Sequence, residues 1–270
     1  MSNTGSRPSS FNLDSFSRRQ REILTMVDEK GFATIDSLAI HFNVTPQTIR
    51  RDINHMCGHK LLQRHHGGAS SSSSVQNVDY STRKSIMSEE KKRIAEMVAE
   101  KIPDHASLFI NLGTTTEEVA AALANHKNLR VITNNLNVAV SMSNNKECQV
   151  IVAGGMVRKG DKGITGEATM DFVRQFKVDI GIIGASGIDE EGTLFDYDYH
   201  EVQVTREIIK NSHHVFLVTD HTKFTRNAMV KINDLSKIDA IFTDKTPSKN
   251  FQALLKTKDV SLYVSEDKKK

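Results

Sequence analysis

A run of hydroxyl, amide and guanidinium side chains near the amino end has the composition of a nucleic-acid-binding surface. Thr45 and the proline after it precede Gln47, Thr48, Arg50 and Arg51. Threonine caps a helix well and proline suits the first helical position, so a helix is predicted to begin here. Gln47 and Thr48 would then face base edges, while the two arginines can contact a base or clamp phosphates.

A polar segment with a glycine pair follows, with the sequence QRHHGGA at residues 63–69. Such a segment is typical of a short strand that turns at the glycines, and this is the form of a wing. We expect Arg64, His65 and His66 to lie along the phosphates beside the groove.

These side chains need helices to position them. A helix is predicted from Ser17 to the glycine at position 31. Residues 34–42 carry apolar side chains at the spacing of a second, short helix. The tight connection at residues 43–44 then makes a helix-turn-helix, whose second helix enters the major groove of double-stranded operator DNA.

The charge distribution supports this interpretation. The chain has a formal net charge of +3, and residues 1–69 hold nine Lys and Arg against six Asp and Glu. The whole excess therefore lies in the first quarter, which also carries five of the eleven histidines. This asymmetry indicates a nucleic-acid-binding module attached to a neutral one.

The second part of the chain alternates short apolar runs with helical segments. Runs rich in Val and Ile are predicted as strands at residues 108–112, 131–133, 150–153, 180–184, 215–219, 240–243 and 260–264. Repeated strand–helix units predict an α/β fold with a mostly parallel sheet. Ligands bind such sheets at the carboxyl ends of the strands.

Small and polar residues recur at those strand ends. Glycine amides, hydroxyl groups and one lysine suit a phosphate, and acidic side chains can accept hydrogen bonds from a sugar or polyol. The sequence therefore predicts a binding site for a small phosphorylated metabolite, formed by Gly113, Thr114, Thr115, Asn134, Asn135, Gly155, Gly166, Glu167, Ser186, Asp196, Glu201 and Lys223.

Composition divides the chain into four segments. We expect a flexible tail at residues 1–16, the winged helix-turn-helix at 17–69, a serine-rich linker at 70–79 and the sensor domain at 80–265. The sequence has no secretory signal and no run long enough to span a membrane, so a cytoplasmic protein without membrane contact is predicted. No metal site and no cofactor are predicted.

The segment FATIDSLAIHFNVTPQTIRRDINHMCGHKLLQRHHGGA resembles the amino-terminal signature of the DeoR-type regulators. The order GTTT, TNN, AGG, GEAT, GASGID, DYHE and DHTKF resembles their sensor domain, which is similar to the fold of ribose-5-phosphate isomerase and glucosamine-6-phosphate deaminase. The resemblance implies a repressor that a phosphorylated sugar or polyol releases from DNA. It also implies a homo-oligomer, with a tetramer favoured over a dimer.

Within the family, LRVITNNLNVA, DYHEV and DHTKFTRNAMV look most like the branch that controls glycerol 3-phosphate metabolism. The resemblance therefore favours glycerol 3-phosphate as the effector. A different sugar phosphate is an open alternative, and so is an architectural nucleic-acid-binding protein.

A sugar-phosphate isomerase or deaminase with an added DNA-binding head is a further alternative. The isomerases carry an Asp-Gly-Ala-Asp stretch and a nearby lysine for proton transfer. This sequence has Gly184-Ala185-Ser186-Gly187 at the matching stretch and Asp198 at the lysine position. No catalytic residue is therefore predicted, although Lys223 resembles the lysine on the phosphate side.

Overall fold

The computed structural model describes residues 16–30, 32–59, 61–65, 67–71, 77, 79–224, 226 and 228–265. Contacts between Cα atoms divide the chain into two compact units, Met1–Ser72 and Ser73–Lys270. Most of the predicted tail, the glycine that was expected to end the first helix, and His66 lie outside the described residues.

The first unit is a winged helix-turn-helix, as predicted. Its elements are α1 (Arg18–Lys30), β1 (Phe32–Thr34), α2 (Ile35–Phe42), α3 (Pro46–Gly58), β2 (Leu62–His65) and β3 (Gly68–Ser71). The three strands form an antiparallel sheet in the order β1-β3-β2. The sequence analysis did not predict β1, which is only three residues long.

Apolar side chains of the three helices form the core of this unit. Ile23 of α1, Leu38 of α2, and Ile49 and Ile53 of α3 are fully buried there. Phe16 is 5% exposed and its ring packs against His55 and His59. The folded unit therefore includes Phe16, which was expected to belong to the tail.

Strand β3 extends into the predicted linker. Ser70 pairs with Phe32 and Gln63, and its side chain is buried. Ser70 and Ser71 are thus part of the wing. Serine can adopt an extended conformation here because neighbouring strands provide hydrogen-bond partners for the backbone of β3.

The second unit contains seven helices: α4 (Tyr80–Ser85), α5 (Ser88–Ala99), α6 (Thr114–Ala122), α7 (Leu136–Met142), α8 (Glu167–Val173), α9 (Tyr199–Lys210) and α10 (Lys249–Thr257), counted over the described residues. Its strands are β4 (Ser107–Ile110), β5 (Leu129–Thr133), β6 (Cys148–Val152), β7 (Met156–Val157), β8 (Ile164–Thr165), β9 (Val178–Ile183), β10 (Gly187–Ile188), β11 (Thr193–Asp196), β12 (Ser212–Val218), β13 (Val230–Asp234), β14 (Ala240–Thr243) and β15 (Ser261–Val264).

Seven of these strands form one parallel sheet in the order β15-β14-β12-β9-β4-β5-β6. They are the seven strands predicted from the sequence, so the α/β fold is confirmed. Apolar clusters cover both faces, with Ile110 and Phe242 in one cluster and Phe109 and Ile241 in the other. The order along the sheet reverses between β4 and β9, and such a reversal leaves a crevice beyond the carboxyl ends of the strands.

Short antiparallel pieces were not predicted. Strands β7 and β8 form a hairpin, and β10, β11 and β13 form a small sheet. Both pieces lie in loops that follow strands of the main sheet, so they supply side chains to its carboxyl edge. No helix among the described residues has the length and apolar character that a membrane span requires.

Candidate functional site: a DNA-binding face and an effector cavity

Thr45 caps helix α3 and Pro46 is its first residue, as the residue types predict. The Thr45 hydroxyl accepts a hydrogen bond from the Thr48 amide at 3.3 Å, and the two hydroxyl oxygens are 3.0 Å apart. The buried face of the helix holds its isoleucines, whereas Gln47, Arg50 and Arg51 are exposed. The exposed face therefore presents the donors predicted for base and phosphate contact.

A buried carboxylate fixes α3 against α1. Asp52 accepts hydrogen bonds from Arg19 Nε at 2.7 Å and from Gln20 Nε2 at 3.0 Å. A carboxylate that loses most of its hydration needs such partners. Asp52 thus holds the helix that carries the predicted base-contacting residues, and the sequence analysis did not identify it.

The wing is tied to the same helix. Arg64 on β2 is exposed and donates a hydrogen bond from Nη1 to Asn54 Oδ1 of α3 at 2.9 Å. At Gly68 a Cβ atom would lie 2.3 Å from the Ala33 carbonyl oxygen, so only glycine allows this approach to β1. His65 begins the turn, but the position of its side chain is not described. The DNA contacts of Arg64, His65 and His66 remain predictions.

A cavity of about 330 Å³ lies among the loops beyond the strand ends of the second unit. Two of the predicted effector residues, Asp196 and Glu201, line it. Seven of the eleven lining residues come from residues 77–83 and the loop between β7 and β8, and neither segment was predicted to contribute. The full lining consists of Asn77, Asp79, Tyr80, Arg83, Arg158, Gly160, Asp161, Asp196, Tyr197, Asp198 and Glu201.

Arg158 lies at the centre of the acidic side of this cavity. Its guanidinium group contacts Asp161 at 2.5 Å, Glu201 at 2.8 Å and Asp198 at 3.1 Å. Burial opposes the charge, but the hydrogen bonds and charges of these carboxylates outweigh burial and raise the pKa of Arg158. Arg158 therefore remains a cation that organises three carboxylates.

Two carboxyl groups here have raised pKa values. Burial raises the pKa of Glu201 to about 7, and the charge of Asp196 adds to this effect while Arg158 opposes it. Burial also raises the pKa of Asp196, although its carboxylate accepts hydrogen bonds from the Ser186 hydroxyl at 3.1 Å and the Tyr197 amide at 2.7 Å. Near neutral pH Glu201 can therefore donate as well as accept a hydrogen bond, as recognition of hydroxyl groups requires.

Arg83 is the second cation that lines the cavity, and Lys91, Lys223 and Arg226 are charged groups near it that are not among the lining residues. Arg83 Nη2 lies 3.5 Å from Asp161, and its buried Nε has no hydrogen-bond acceptor among the described residues. Lys91 is 4% exposed and donates to the carbonyl oxygens of Arg83 and Ile86. Burial lowers the pKa of Lys91 to about 8.

Lys223 belongs to the same group of cations. It ends the 3₁₀ turn His221–Lys223 that follows β12. Burial lowers its pKa to about 7, and Arg226, Lys91 and Arg83 lower it further while Asp220 opposes them. Cations that destabilise one another's charge in this way form a favourable environment for an anion.

The predicted residues after β4 begin helix α6. Gly113 adopts φ = 143°, a conformation that favours glycine, and Thr114 and Thr115 are buried behind it. The Thr116 hydroxyl donates to the carbonyl oxygens of Asn111 and Gly113, at 2.7 and 2.8 Å. This turn has the form expected of a strand end that opens a helix, but its residues do not line the cavity.

The two asparagines after β5 hold loops together. Asn134 Nδ2 donates to the Ile164 carbonyl oxygen at 3.1 Å. Asn135 Oδ1 caps α7 by accepting from the Asn137 amide at 2.9 Å, and Asn135 Nδ2 donates to Glu117 at 3.1 Å. Both side chains are buried and do not line the cavity.

Three other predicted residues lie apart from the cavity. A Cβ atom on Gly155 would meet the Thr169 hydroxyl at 2.4 Å, so the glycine permits packing of this loop on α8. Gly166, with φ = 112°, precedes α8, and the Glu167 side chain is exposed. The small residues after these strands therefore have a packing role in the structure.

The sequence offered a weak indication of the residues that were missed. Arg158 and Asp161 occur in RKGDKG, a charged loop between two short strands, and Arg83 occurs in YSTRKS before the first predicted helix of the sensor domain. Their role becomes visible only when the fold brings these loops to one edge of the sheet. Among the described residues, no cluster of His, Cys, Asp and Glu has an arrangement that could hold a metal ion.

Two family profiles match the chain. The DeoR-like helix-turn-helix domain matches residues 19–75, and the DeoR C terminal sensor domain matches residues 86–245. The chain is 48% identical over 247 residues to the glycerol-3-phosphate regulon repressor of Escherichia coli (strain K12), covering 92% of this chain and 98% of that protein. It is also 48% identical over 231 residues to the protein of that name from Haemophilus influenzae, covering 86% and 90%.

A more distant relative is the HTH-type transcriptional repressor CsqR of Escherichia coli (strain K12), with 37% identity over 92% of this chain and 95% of that protein. Among solved structures, a D-ribose-5-phosphate isomerase in complex with phospho-erythronic acid is 14% identical, with a TM-score of 0.39 over 51% of this chain and 54% of that chain. The sequence relatives are named as transcriptional repressors, which confirms the prediction of a regulator instead of an enzyme. The chain belongs to the DeoR family of DNA-binding transcriptional regulators.

Proposed function

We propose that this protein represses genes of glycerol 3-phosphate metabolism in the cytoplasm and leaves its operator when glycerol 3-phosphate fills the cavity of the sensor domain. The name shared by two relatives at 48% identity supports the choice of metabolite. The observation that carries the proposal is the composition of the cavity region, in which Arg83 lines the cavity, Lys223 lies near Arg83, and the carboxyl groups of Asp196 and Glu201 have raised pKa values.

We assign the ligand phosphate to Arg83 and Lys223. Lys223 has no side-chain hydrogen bond within the described part of the chain, and Arg83 has an unused Nε donor. A phosphate dianion would satisfy both donors and would relieve the repulsion that lowers the pKa of Lys223. Arg83 therefore joins Lys223 as a proposed phosphate-binding residue.

The glycerol hydroxyl groups are assigned to the acidic side. Asp196 is buried and Glu201 is partly buried, and each can accept a hydrogen bond or, when protonated, donate one. Arg158 would hold these groups in place and is not itself assigned to the ligand. Six of the predicted residues that do not line the cavity are omitted from the proposed site: Gly113, Thr114, Thr115, Gly155, Gly166 and Glu167.

Operator binding is assigned to α3 and the wing. Gln47, Thr48, Arg50 and Arg51 would contact the major groove, and Arg64 would contact an adjacent phosphate. One such module gives only modest affinity, so two modules bound to linked half-sites would bind together with much greater strength. We therefore propose a homo-oligomer and favour a tetramer.

A selection from random duplexes tests the DNA-binding part. The full-length chain should enrich a defined sequence, which then serves as the probe for fluorescence anisotropy. Glycerol 3-phosphate should release the probe, whereas glycerol and inorganic phosphate should not. Ribose 5-phosphate, galactitol phosphate and glucosamine 6-phosphate are the competitors that test the identity of the effector.

Two results would contradict the proposal. Equal affinity for every duplex would remove the operator-binding role. Enrichment of an operator that no phosphorylated sugar or polyol releases would remove the sensor role. Release by another metabolite at lower concentration would replace glycerol 3-phosphate and leave the repressor mechanism intact.

A further inference from the structure

Residues 77 and 79–85, here called the strap, form one wall of the effector cavity. Four of them line it: Asn77, Asp79, Tyr80 and Arg83. In sequence the strap directly follows residues 72–76, which connect the DNA-binding unit to the sensor unit. The part of the sensor that faces the ligand is therefore also the part to which the DNA-binding unit is attached.

Polar contacts hold the strap in place. Helix α4 buries none of its side chains, so it has little apolar anchorage. The Tyr80 hydroxyl donates to Glu117 Oε2 at 2.6 Å and accepts from Asn137 Nδ2 at 3.0 Å. Asn77 Oδ1 accepts from Arg226 Nη2 at 3.1 Å. A segment held in this way can change position without exposing a hydrophobic core.

Arg226 is a buried cation with neutral partners. It is 5% exposed, and within the described residues it donates to the Tyr197 hydroxyl at 3.0 Å and to Asn77. Its guanidinium also lies over the Tyr197 ring, at 5.3 Å from the centroid. A phosphate would bind this cation more strongly than the Asn77 amide does, because both partners of the new hydrogen bond would be charged.

We propose that the strap is pinned in the ligand-free chain and is displaced when the ligand phosphate takes Arg83 and Arg226 from their present partners. The displacement would move Asn77, the first described residue after the connector in sequence. This inference rests on the proposed function, because it needs a phosphorylated ligand in the cavity. It assigns the coupling to specific hydrogen bonds of Asn77 and Tyr80.

The direction in which a mutation changes ligand affinity distinguishes a strap that is displaced from one that only contacts the ligand. Suppose that the ligand binds the displaced state, which is a small fraction of the ligand-free population. Removing a pin then enlarges that fraction, and the apparent ligand affinity rises in proportion. A residue that merely contacts the ligand gives the opposite result, since its removal weakens binding.

Tyr80→Phe removes the pinning hydroxyl and keeps the ring. Because a hydrogen bond to a carboxylate is lost, the displaced state should become about tenfold more populated. Calorimetry on the full-length variant should show glycerol 3-phosphate binding up to about tenfold more tightly than the wild type. Asn77→Ala should change affinity in the same direction. Lys84→Ala, at an exposed position of the same helix, is the matched control and should leave affinity unchanged.

Hydrogen exchange on the wild-type chain gives a second measurement that needs no variant. Amides of residues 77–85 should exchange faster when glycerol 3-phosphate is bound. Slower or unchanged exchange there overturns the strap, and so does unchanged or weaker ligand binding by a folded Tyr80→Phe variant. A wild-type chain that binds no phosphorylated metabolite overturns the proposed function together with the strap, so the two failures are distinguishable.

Discussion

Raising the pH above 7 should weaken the binding of glycerol 3-phosphate through deprotonation of Lys223. Burial lowers the pKa of this lysine to about 7, with further lowering by Arg226, Lys91 and Arg83 against the opposing charge of Asp220. A bound phosphate favours the ammonium form and raises the pKa. Binding therefore takes up a proton, and affinity falls as the pH rises from the lower pKa towards the higher one.

The size of the effect follows from the two protonation states. With a pKa of about 7, Lys223 of the ligand-free protein is about half protonated at pH 7 and about one-hundredth protonated at pH 9. If only the protonated lysine binds the phosphate, the affinity falls by about fiftyfold over this range. The phosphate contributes little, because its second pKa near 6 leaves it largely dianionic throughout this range. The full loss requires the bound lysine to stay protonated at pH 9. If the phosphate raises the lysine pKa by about two units, or about 2.7 kcal/mol, comparable to a charged hydrogen bond, the loss is about twenty-fivefold.

Isothermal titration calorimetry at pH 7, 8 and 9 measures this loss. At pH 8, titration in two buffers of different ionisation enthalpy should reveal uptake of nearly one proton per ligand. Lys223→Arg keeps its charge at every pH and should bind with an affinity that changes much less. Glu201 has a pKa of about 7 and would add a negative charge in the same range, so Glu201→Gln separates its contribution.

Two outcomes would refute the reasoning. An affinity independent of pH between 7 and 9 would mean that Lys223 gains no proton on binding. An equally steep fall in the Lys223→Arg variant would assign the titration to another group.

Three further predictions concern the rest of the molecule. Arg50→Ala should weaken operator binding by about 1–3 kcal/mol in anisotropy titrations. Arg21→Ala, on the exposed side of α1, is the control and should change binding little. Equal losses in the two variants would contradict the assignment of DNA binding to α3. Gly113→Ala should lower the free energy of unfolding in urea by about 1–3 kcal/mol, because a side chain is strained at the positive φ of this residue. Gly154→Ala is the control, since Gly154 has open space around it. Arg158→Met should cost about 2–3 kcal/mol of stability at neutral pH, since it strands three partly buried carboxylates. That cost should shrink as the pH falls and the carboxylates take up protons, and a pH-independent cost would exclude the charge explanation.

The sequence was sufficient to predict the regular parts of the fold. The helix-turn-helix followed from capping residues and apolar spacing, and all seven strands of the parallel sheet followed from short runs of Val and Ile. These patterns are local, so they can be recognised without knowledge of the tertiary structure. The hairpin of β7 and β8 was missed because two-residue strands carry no periodicity.

The candidate site was predicted less completely, because the same residue type can serve binding or packing. Gly155 follows a strand as a phosphate-binding glycine would, yet its close approach to Thr169 explains its presence without a ligand. Arg158 could not be selected among many surface arginines, since its acidic partners at 198 and 201 are forty or more residues away in sequence. Asp196 and Glu201 line the cavity and were among the predicted residues because each lies near a strand end, whereas Lys223 was predicted for the same reason but is not part of the lining.

The hydrogen bond between Asn77 and Arg226 has a practical consequence for building sensors with new outputs. A chimera that joins another DNA-binding domain at residue 76 keeps this bond and the complete wall of the cavity. A junction after Ser85 discards four residues that line it, even though the parallel sheet would still be whole. The boundary for transplanting the metabolite response therefore lies nine residues before the end of α4, on the amino side of Asn77.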